Sequence, residues 1–218
     1  MKGFIFDMDG LMLDTERVAA LAFDYAGEKT GIGPAGYITE RILGLSVDAA
    51  RPVWISEFGD GYDEDGMIRY AREFKRRYYE THKVPVKPGL YELLRYLSGE
   101  GYRLAVASST GRETVEGELS SVGVLRFFDV LVCGDMVTRS KPDPEIYLSA
   151  CGALGLLPGE CAALEDSRAG ILSAHAAGCR VIMVPDLWQP DEEASGIADA
   201  ICRDLYEVRC LIAEGRIK

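Results

Sequence analysis

The sequence predicts an α/β protein on a doubly wound parallel sheet, with a helical segment inserted after the first strand. Three observations carry that expectation. Short runs rich in Val, Ile, Phe and Leu recur along the chain without apolar/polar alternation, the pattern of strands covered on both faces. Stretches with apolar residues at helical spacing lie between them, so strand and helix alternate as parallel crossovers require. One interval, Thr15–Pro85, breaks the rhythm, showing no convincing strand but two helical stripes.

The elements follow in order. The first strand, Gly3–Met8, carries Asp7 near its end, with Asp9 and Gly10 directly after. In the interval that follows, Val18, Leu21, Ala22 and Tyr25 form one stripe, and Met67, Ala71, Phe74 and Tyr78 another. The cluster KRRYY at Lys75–Tyr79 reads as the wet face of the second helix. The chain returns through VPVKPG, where Pro85, Pro88 and Gly89 suit a linker. Helix Leu90–Ser98 then leads to strand Tyr102–Ser108, and helix Glu113–Ser121 to strand Val130–Cys133. Helix Pro144–Leu154 leads to strand Ala162–Glu165, and helix Ala169–Ala177, stopped by Gly178, to strand Val181–Val184. The expected division is a core of residues 1–14 and 86–218 with a helical domain over 15–85.

At 218 residues, 48% hydrophobic and 27% charged, the chain has the composition of a soluble globular protein. A net charge of −11 argues against a nucleic-acid surface, because phosphate backbones are held by clustered Lys and Arg. A small anionic substrate stays open, since a bound cation and a few local basic groups decide a pocket. No apolar run approaches a membrane span, and the opening residues read as strand rather than leader. The six cysteines show no CxxC pair and read as reduced core residues. A cytoplasmic enzyme with a small-molecule substrate, and neither nucleic acid nor membrane as partner, is the expectation.

Functional side chains of a parallel α/β sheet gather at the carboxyl ends of its strands. Asp7 and Asp9 stand at the first such end and Ser108, in ASST, at the second; Lys141, in RSKPDPE, follows the third, and Glu165 with Asp166, in LEDS, closes the fourth. Converging carboxylates repel unless a hard cation sits among them, and Mg²⁺ is the usual one where oxygen ligands also meet a phosphate. The set suits phosphoryl transfer. Asp7 can attack phosphorus to give an aspartyl phosphate, Asp9 can protonate the leaving oxygen and then deprotonate water, and Ser108 and Lys141 can supply donors. Each motif alone has a plainer reading: a turn at Asp9-Gly10, a helix cap at Ser108, a surface lysine, a helix start at Asp143-Pro144-Glu145, capping at Glu165-Asp166-Ser167. Their joint occurrence at successive strand ends favours the catalytic one. Gly134 and Asp135 read as loop geometry.

FDMDG, ASST, SKPDP and LEDSRAG, in that order, resemble the haloacid dehalogenase superfamily of aspartate-nucleophile phosphatases, and segment 15–85 looks like that family's cap. The resemblance implies Asp7 as nucleophile and Asp9 as acid/base, with the Asp9 backbone carbonyl on the metal. It further implies Ser108, Ser109 and Lys141 as phosphate ligands and Asp166 with Glu165 holding Mg²⁺, Glu165 through water. Dehalogenases of the superfamily lack the second aspartate and need no metal, so this chain is expected to act on phosphate. Its pattern is most similar to the beta-phosphoglucomutase-like phosphatases. Mutases of that group carry a cap loop GxSR preceded by lysine, and a cap histidine; here Leu43, Val47 and Ala19 stand in those places. These departures favour hydrolysis of a small phosphorylated metabolite, a sugar phosphate or similar monoester, over a sugar phosphomutase. Arg41, Ser46 and Arg51 are the cap candidates for substrate contact, and Trp54, Tyr62 and Tyr25 line the pocket or fill the cap. A phospho-aspartate switch of the receiver type would need another motif order and no cap, and a binding module would not need the intact nucleophile and acid/base.

Overall fold

The structure, a computed structural model, describes residues 1–217. Strands β1 (Gly3–Phe6), β2 (Arg103–Ser108), β3 (Val130–Cys133), β4 (Cys161–Glu165), β5 (Arg180–Met183) and β6 (Ala200–Ile201) form one parallel sheet in the order β3-β2-β1-β4-β5-β6. The order reverses beside β1, which places the crevice at the carboxyl ends of β1, β2 and β4. Every residue of β1 is buried, and its neighbours point to opposite cores: Phe4 and Phe6 into one cluster, Ile5 into the other. Burial on both faces explains why the run lacks alternation. The strand is shorter than expected: Asp7 N–H still donates to the Leu164 carbonyl, but at Met8 the chain turns, its carbonyl accepting from Met12 and Leu13.

Between β1 and the second strand the chain forms helices α1 (Glu16–Thr30), α2 (Thr39–Ile42), α3 (Val47–Phe58) and α4 (Glu64–Thr81). They share an apolar cluster of their own, including Ala22, Ala26, Ile38, Trp54, Met67 and Ala71. Leu21, expected to face inward, is 49% exposed. α1 meets its neighbours through the small residues Ala22, Ala26 and Gly27, which allow close backbone approach, so the bulkier Leu21 turns outward. The two linkers run side by side: Asp14 N–H donates to the Pro85 carbonyl and Lys87 N–H to that of Met12. Asp186, beyond β5, pins the junction by pairing with Arg17 at 3.0 Å and Lys87 at 2.8 Å.

Helices α5 (Leu90–Gly99), α6 (Arg112–Ser121), α7 (Glu145–Leu154), α8 (Arg168–Ala177), α9 (Glu192–Ile197) and α10 (Leu205–Ala213) cover the sheet. Leu93, Leu97 and Val208 pack with Phe4 and Val106 on one face; Ile146, Ile171 and Ala174 pack with Ile5 and Ala163 on the other. β6, α9 and α10 lie beyond the last expected strand, and a two-residue strand leaves no periodic signal. The cysteines are free thiols, all buried except Cys210. No helix among the described residues is long and apolar enough to cross a membrane.

Candidate active site

Lys141 is fully buried at the centre of the strand ends. Its Nζ lies 2.6 Å from Asp7 Oδ1, 2.6 Å from Glu165 Oε1 and 3.0 Å from the Ala107 carbonyl, so all three ammonium hydrogens have acceptors. It therefore orients Asp7 directly. Glu165 Oε1 also accepts from the Tyr147 hydroxyl at 2.6 Å, while Oε2 accepts from the Asp166 and Ser167 amides and the Ser167 hydroxyl. Ser167 caps α8 at the same time, its Oγ accepting from Gly170 N–H at 3.1 Å. Two glycines make room for this packing. A Cβ at Gly170 would sit 1.9 Å from the Glu165 carboxylate, and one at Gly10, whose φ is +83°, would sit 2.1 Å from Asp166 Oδ2.

Carboxylate oxygens of Asp7, Glu165 and Asp166 lie within 4.8 Å of one another, all three residues buried. Burial pushes the Asp7 carboxyl well above the usual range and the Glu165 charge adds to the shift, while Lys141 opposes it. Burial raises Asp166 likewise, reinforced by Asp7 and Glu165. For Lys141 burial disfavours the charge, but Asp7 and Glu165 outweigh it and hold the ammonium above its ordinary range. One ammonium against three buried carboxylates leaves an excess of negative charge on hard oxygen donors. That set fits a divalent cation such as Mg²⁺. With both Glu165 oxygens already bonded, Asp7 and Asp166 are the side chains best placed to hold it.

Asp9 sits at the edge of this buried set. Its Oδ1 accepts from the Thr15 hydroxyl at 2.6 Å, and its Oδ2 from the hydroxyls of Thr110 at 2.8 Å and Ser108 at 3.4 Å. The Ser109 hydroxyl instead donates to the Gly44 carbonyl at 2.7 Å, which fastens the loop before α3 onto the strand ends. Gly44 has φ +72°, and a Cβ there would lie 2.3 Å from Ser167 Oγ, so the loop rests on backbone.

Between the strand ends and the helical insertion lies a cavity of about 190 Å³, bordered by Asp7, Asp9, Ser109 and Thr110 from the sheet side and by Ser46, Trp54 and Lys75 from the other. Ser46 also caps α3, accepting from Ala49 N–H at 3.3 Å. Arg41 and Arg51 do not border the cavity: Arg41 pairs with Glu57 at 2.6 Å, and Arg51 with Glu64 at 2.8 Å and Asp48 at 2.9 Å. Trp54 and Tyr62 line the cavity and pack within the insertion, whereas Tyr25 packs on Phe74 and Tyr70 away from it. The wet-face reading of KRRYY holds for Arg76 and Arg77, which are exposed, and fails for Lys75, which borders the cavity. The reason is helical phase: Met67, Ala71, Lys75 and Tyr79 recur every fourth residue and share a face.

Sequence reasoning passed over Thr15, Glu16, Thr110 and Tyr147. Thr110 was legible as the last hydroxyl of SST, whereas nothing local marks Tyr147. Burial and the nearby Asp9 charge push the Glu16 carboxyl up to about 8, against the pull of Lys75.

Residues 4–184 match the family described as haloacid dehalogenase-like hydrolase. Hexitol phosphatase A of Escherichia coli is 33% identical over 187 residues, which cover 84% of this chain and 82% of that protein. Beta-phosphoglucomutase of Bacillus subtilis is 28% identical over 184 residues, covering 82% and 80%. The crystal structure of CbbY from Rhodobacter sphaeroides in complex with phosphate superposes with a TM-score of 0.82 at 27% identity, covering 95% of this chain and 96% of that one.

Proposed function

The chain belongs to the haloacid dehalogenase-like hydrolases, in their beta-phosphoglucomutase-like group, and on that premise we propose that it is a Mg²⁺-dependent phosphatase of a small phosphorylated metabolite, a sugar phosphate or similar monoester. The observation that carries the reading is the pairing of Asp7, held by Lys141, with Asp9 two residues on and anchored by hydroxyls beside the cavity. Asp7 attacks phosphorus; the ester P–O bond breaks, and Asp9 gives its proton to the departing oxygen, leaving an alcohol and an aspartyl phosphate. Asp9, now a carboxylate, takes a proton from water as the water oxygen attacks phosphorus. The bond to Asp7 then breaks, inorganic phosphate leaves and Asp9 carries its proton again.

Ser108, whose hydroxyl is held only loosely by Asp9 at 3.4 Å, is the side-chain donor free to turn to the phosphoryl oxygens, whereas the Ser109 hydroxyl is committed to the Gly44 carbonyl; the Lys141 charge stabilises the site while its hydrogens fix Asp7. When bound to Asp7, Asp166 and the Asp9 carbonyl, with Glu165 behind them, Mg²⁺ supplies charge neutralisation at the phosphoryl group. Residues 15–85 act as a cap that shields the phosphoenzyme and sorts leaving groups, over a core of 1–14 and 86–218.

A sugar phosphomutase is the alternative, and the relation to beta-phosphoglucomutase keeps it in view. Leu43, Val47 and Ala19 oppose it, because turning a bisphosphate over in the site calls for cap groups that bind a second phosphate. The test is incubation with glucose 1-phosphate and a trace of glucose 1,6-bisphosphate, following glucose 6-phosphate and inorganic phosphate together. Release of phosphate, abolished by EDTA, supports the phosphatase; glucose 6-phosphate without stoichiometric phosphate overturns it.

A further inference from the structure

Tyr147 takes part in no step of the proposed reaction, yet it is bonded into the buried centre of the site. It is fully buried on α7, and its hydroxyl donates to Glu165 Oε1 at 2.6 Å, the short distance of a bond to a charged acceptor. The same oxygen accepts from Lys141 Nζ at 2.6 Å, and that ammonium is shared in turn with Asp7 Oδ1 at 2.6 Å. Hydrogen bonds therefore run without a break from Tyr147 through Glu165 and Lys141 to the attacking carboxylate. The ring belongs to the same assembly, because Lys141 Nζ lies 5.2 Å from its centroid, within reach of the aromatic face. Burial and the Glu165 charge push the Tyr147 pKa up, so the hydroxyl stays a donor. The start of α7 is anchored as well: Asp143 Oδ1 accepts from Glu145 N–H at 3.0 Å, and the Ser173 hydroxyl of α8 donates to the Asp143 carbonyl at 2.6 Å.

We propose that Tyr147 is a positioning residue for the attack by Asp7, acting through Glu165 and Lys141. The inference rests on the phosphatase reading and adds to it a group that touches neither the ester nor the nucleophile. Glu165 Oε1 is a buried anionic oxygen whose charge is divided between two donors. Without the hydroxyl, Lys141 alone would answer that charge, and the ammonium would move toward Glu165 at the expense of its bond to Asp7. Asp7 would then rotate off the line of attack, and a misplacement of about 1 Å is enough to cost up to roughly 10²-fold in rate. Binding of the ester, made by other groups, would stay as it is. Tyr147→Phe isolates the effect: it keeps the ring against Lys141 and the packing of α7, and removes one donor.

The test compares Tyr147→Phe with Ile146→Val, a change at its buried neighbour on α7 that loosens packing against the sheet and removes no hydrogen bond. Stopped-flow release of 4-nitrophenolate from 4-nitrophenyl phosphate in saturating Mg²⁺ reads the attack itself, giving its limiting rate and the half-saturating ester concentration separately. Calorimetric titration with trifluoroberyllate, which binds a carboxylate oxygen as a mimic of the acyl phosphate, reports the placement of Asp7 without turnover. Tyr147→Phe should lower the limiting rate about 5- to 50-fold, keep the half-saturating concentration within about twofold and weaken trifluoroberyllate several-fold. Ile146→Val should leave all three within about twofold. In a Glu165→Gln background, where the charge that the hydroxyl answers is gone, Tyr147→Phe should add less than about twofold in either readout, because residues that act through one another are not additive. A limiting rate unchanged by Tyr147→Phe, a loss that falls on half-saturation instead, an equal loss in Ile146→Val, or the full loss repeated in the Glu165→Gln background overturns the inference. Weaker trifluoroberyllate binding in Tyr147→Phe, with no nitrophenolate released by the native enzyme, supports it while overturning hydrolysis.

Discussion

The strand ends and the helical insertion face the same cavity and are built on opposite terms. At the strand ends the polar atoms are buried and matched: Lys141 bonds Asp7, Glu165 and a carbonyl, and Glu165 is bonded on both oxygens. On the insertion the arginines turn to solvent in ion pairs, and the surface left for the cavity is largely apolar. In the proposed reading the chemistry belongs to the strand ends, and the insertion is a wall that can change without disturbing them. Substitutions on the two sides should therefore differ by orders of magnitude in their effect on turnover.

The largest effect is expected from Asp7→Asn, which removes the attacking carboxylate and should reduce phosphate release to background in a steady-state assay. Asp9→Asn should follow, costing roughly 10²–10⁴-fold with an alkyl ester. The loss should shrink with an aryl ester whose oxygen needs little protonation; equal losses for both would show that Asp9 does not protonate the leaving group. Gly10→Ala should destabilise the fold by about 1–3 kcal/mol through its positive φ and displace Asp166, lowering Mg²⁺ affinity in calorimetry.

The boundary between the two regions gives a smaller effect that depends on pH. Glu118 Oε2 and the Tyr79 hydroxyl are buried without hydrogen-bond partners. Burial and the Asp9 charge push the Glu118 carboxyl up to about 7 from an ordinary 4.5. The folded state thus holds this proton more tightly than the unfolded chain, and stability falls as pH rises from about 4.5 to about 7. Glu118→Gln should flatten that slope, adding of order 1 kcal/mol at pH 8 and nothing at pH 4 in urea unfolding. The smallest effect belongs to the surface: Arg41→Ala should leave turnover of a small ester unchanged and cost less than about 1 kcal/mol, since its partner Glu57 is an exposed-side ion pair.

The same contrast decides what the sequence revealed. Asp7, Ser108 and Glu165 sit at or beside the ends of short apolar strands, and parallel pairing brings such ends together whatever the surrounding packing. Lys141 was legible for a weaker reason, its place after the third strand, and its role as the clamp on Asp7 needed the three distances around it. Thr15, Lys75 and Tyr147 lie on or beside helices, where a residue's direction depends on how the helix is rotated against its neighbours. Arg41 and Arg51 show the converse: cationic residues near the cap loop suggested substrate contact, but acids one helical turn or one helix away claim them. Leu21 turned out for the same reason, because small residues set the phase of α1.

The central claim is that Asp7 carries the phosphoryl group, and it can be read directly by quenching turnover with borohydride, which reduces an acyl phosphate to an alcohol. Mass spectrometry of the peptide containing Asp7 should then show homoserine at that position, in proportion to substrate and only with Mg²⁺ present, while Asp9 and Asp166 stay unmodified. Phosphate release at full rate with no homoserine at position 7, or with the modification at another aspartate, would contradict it.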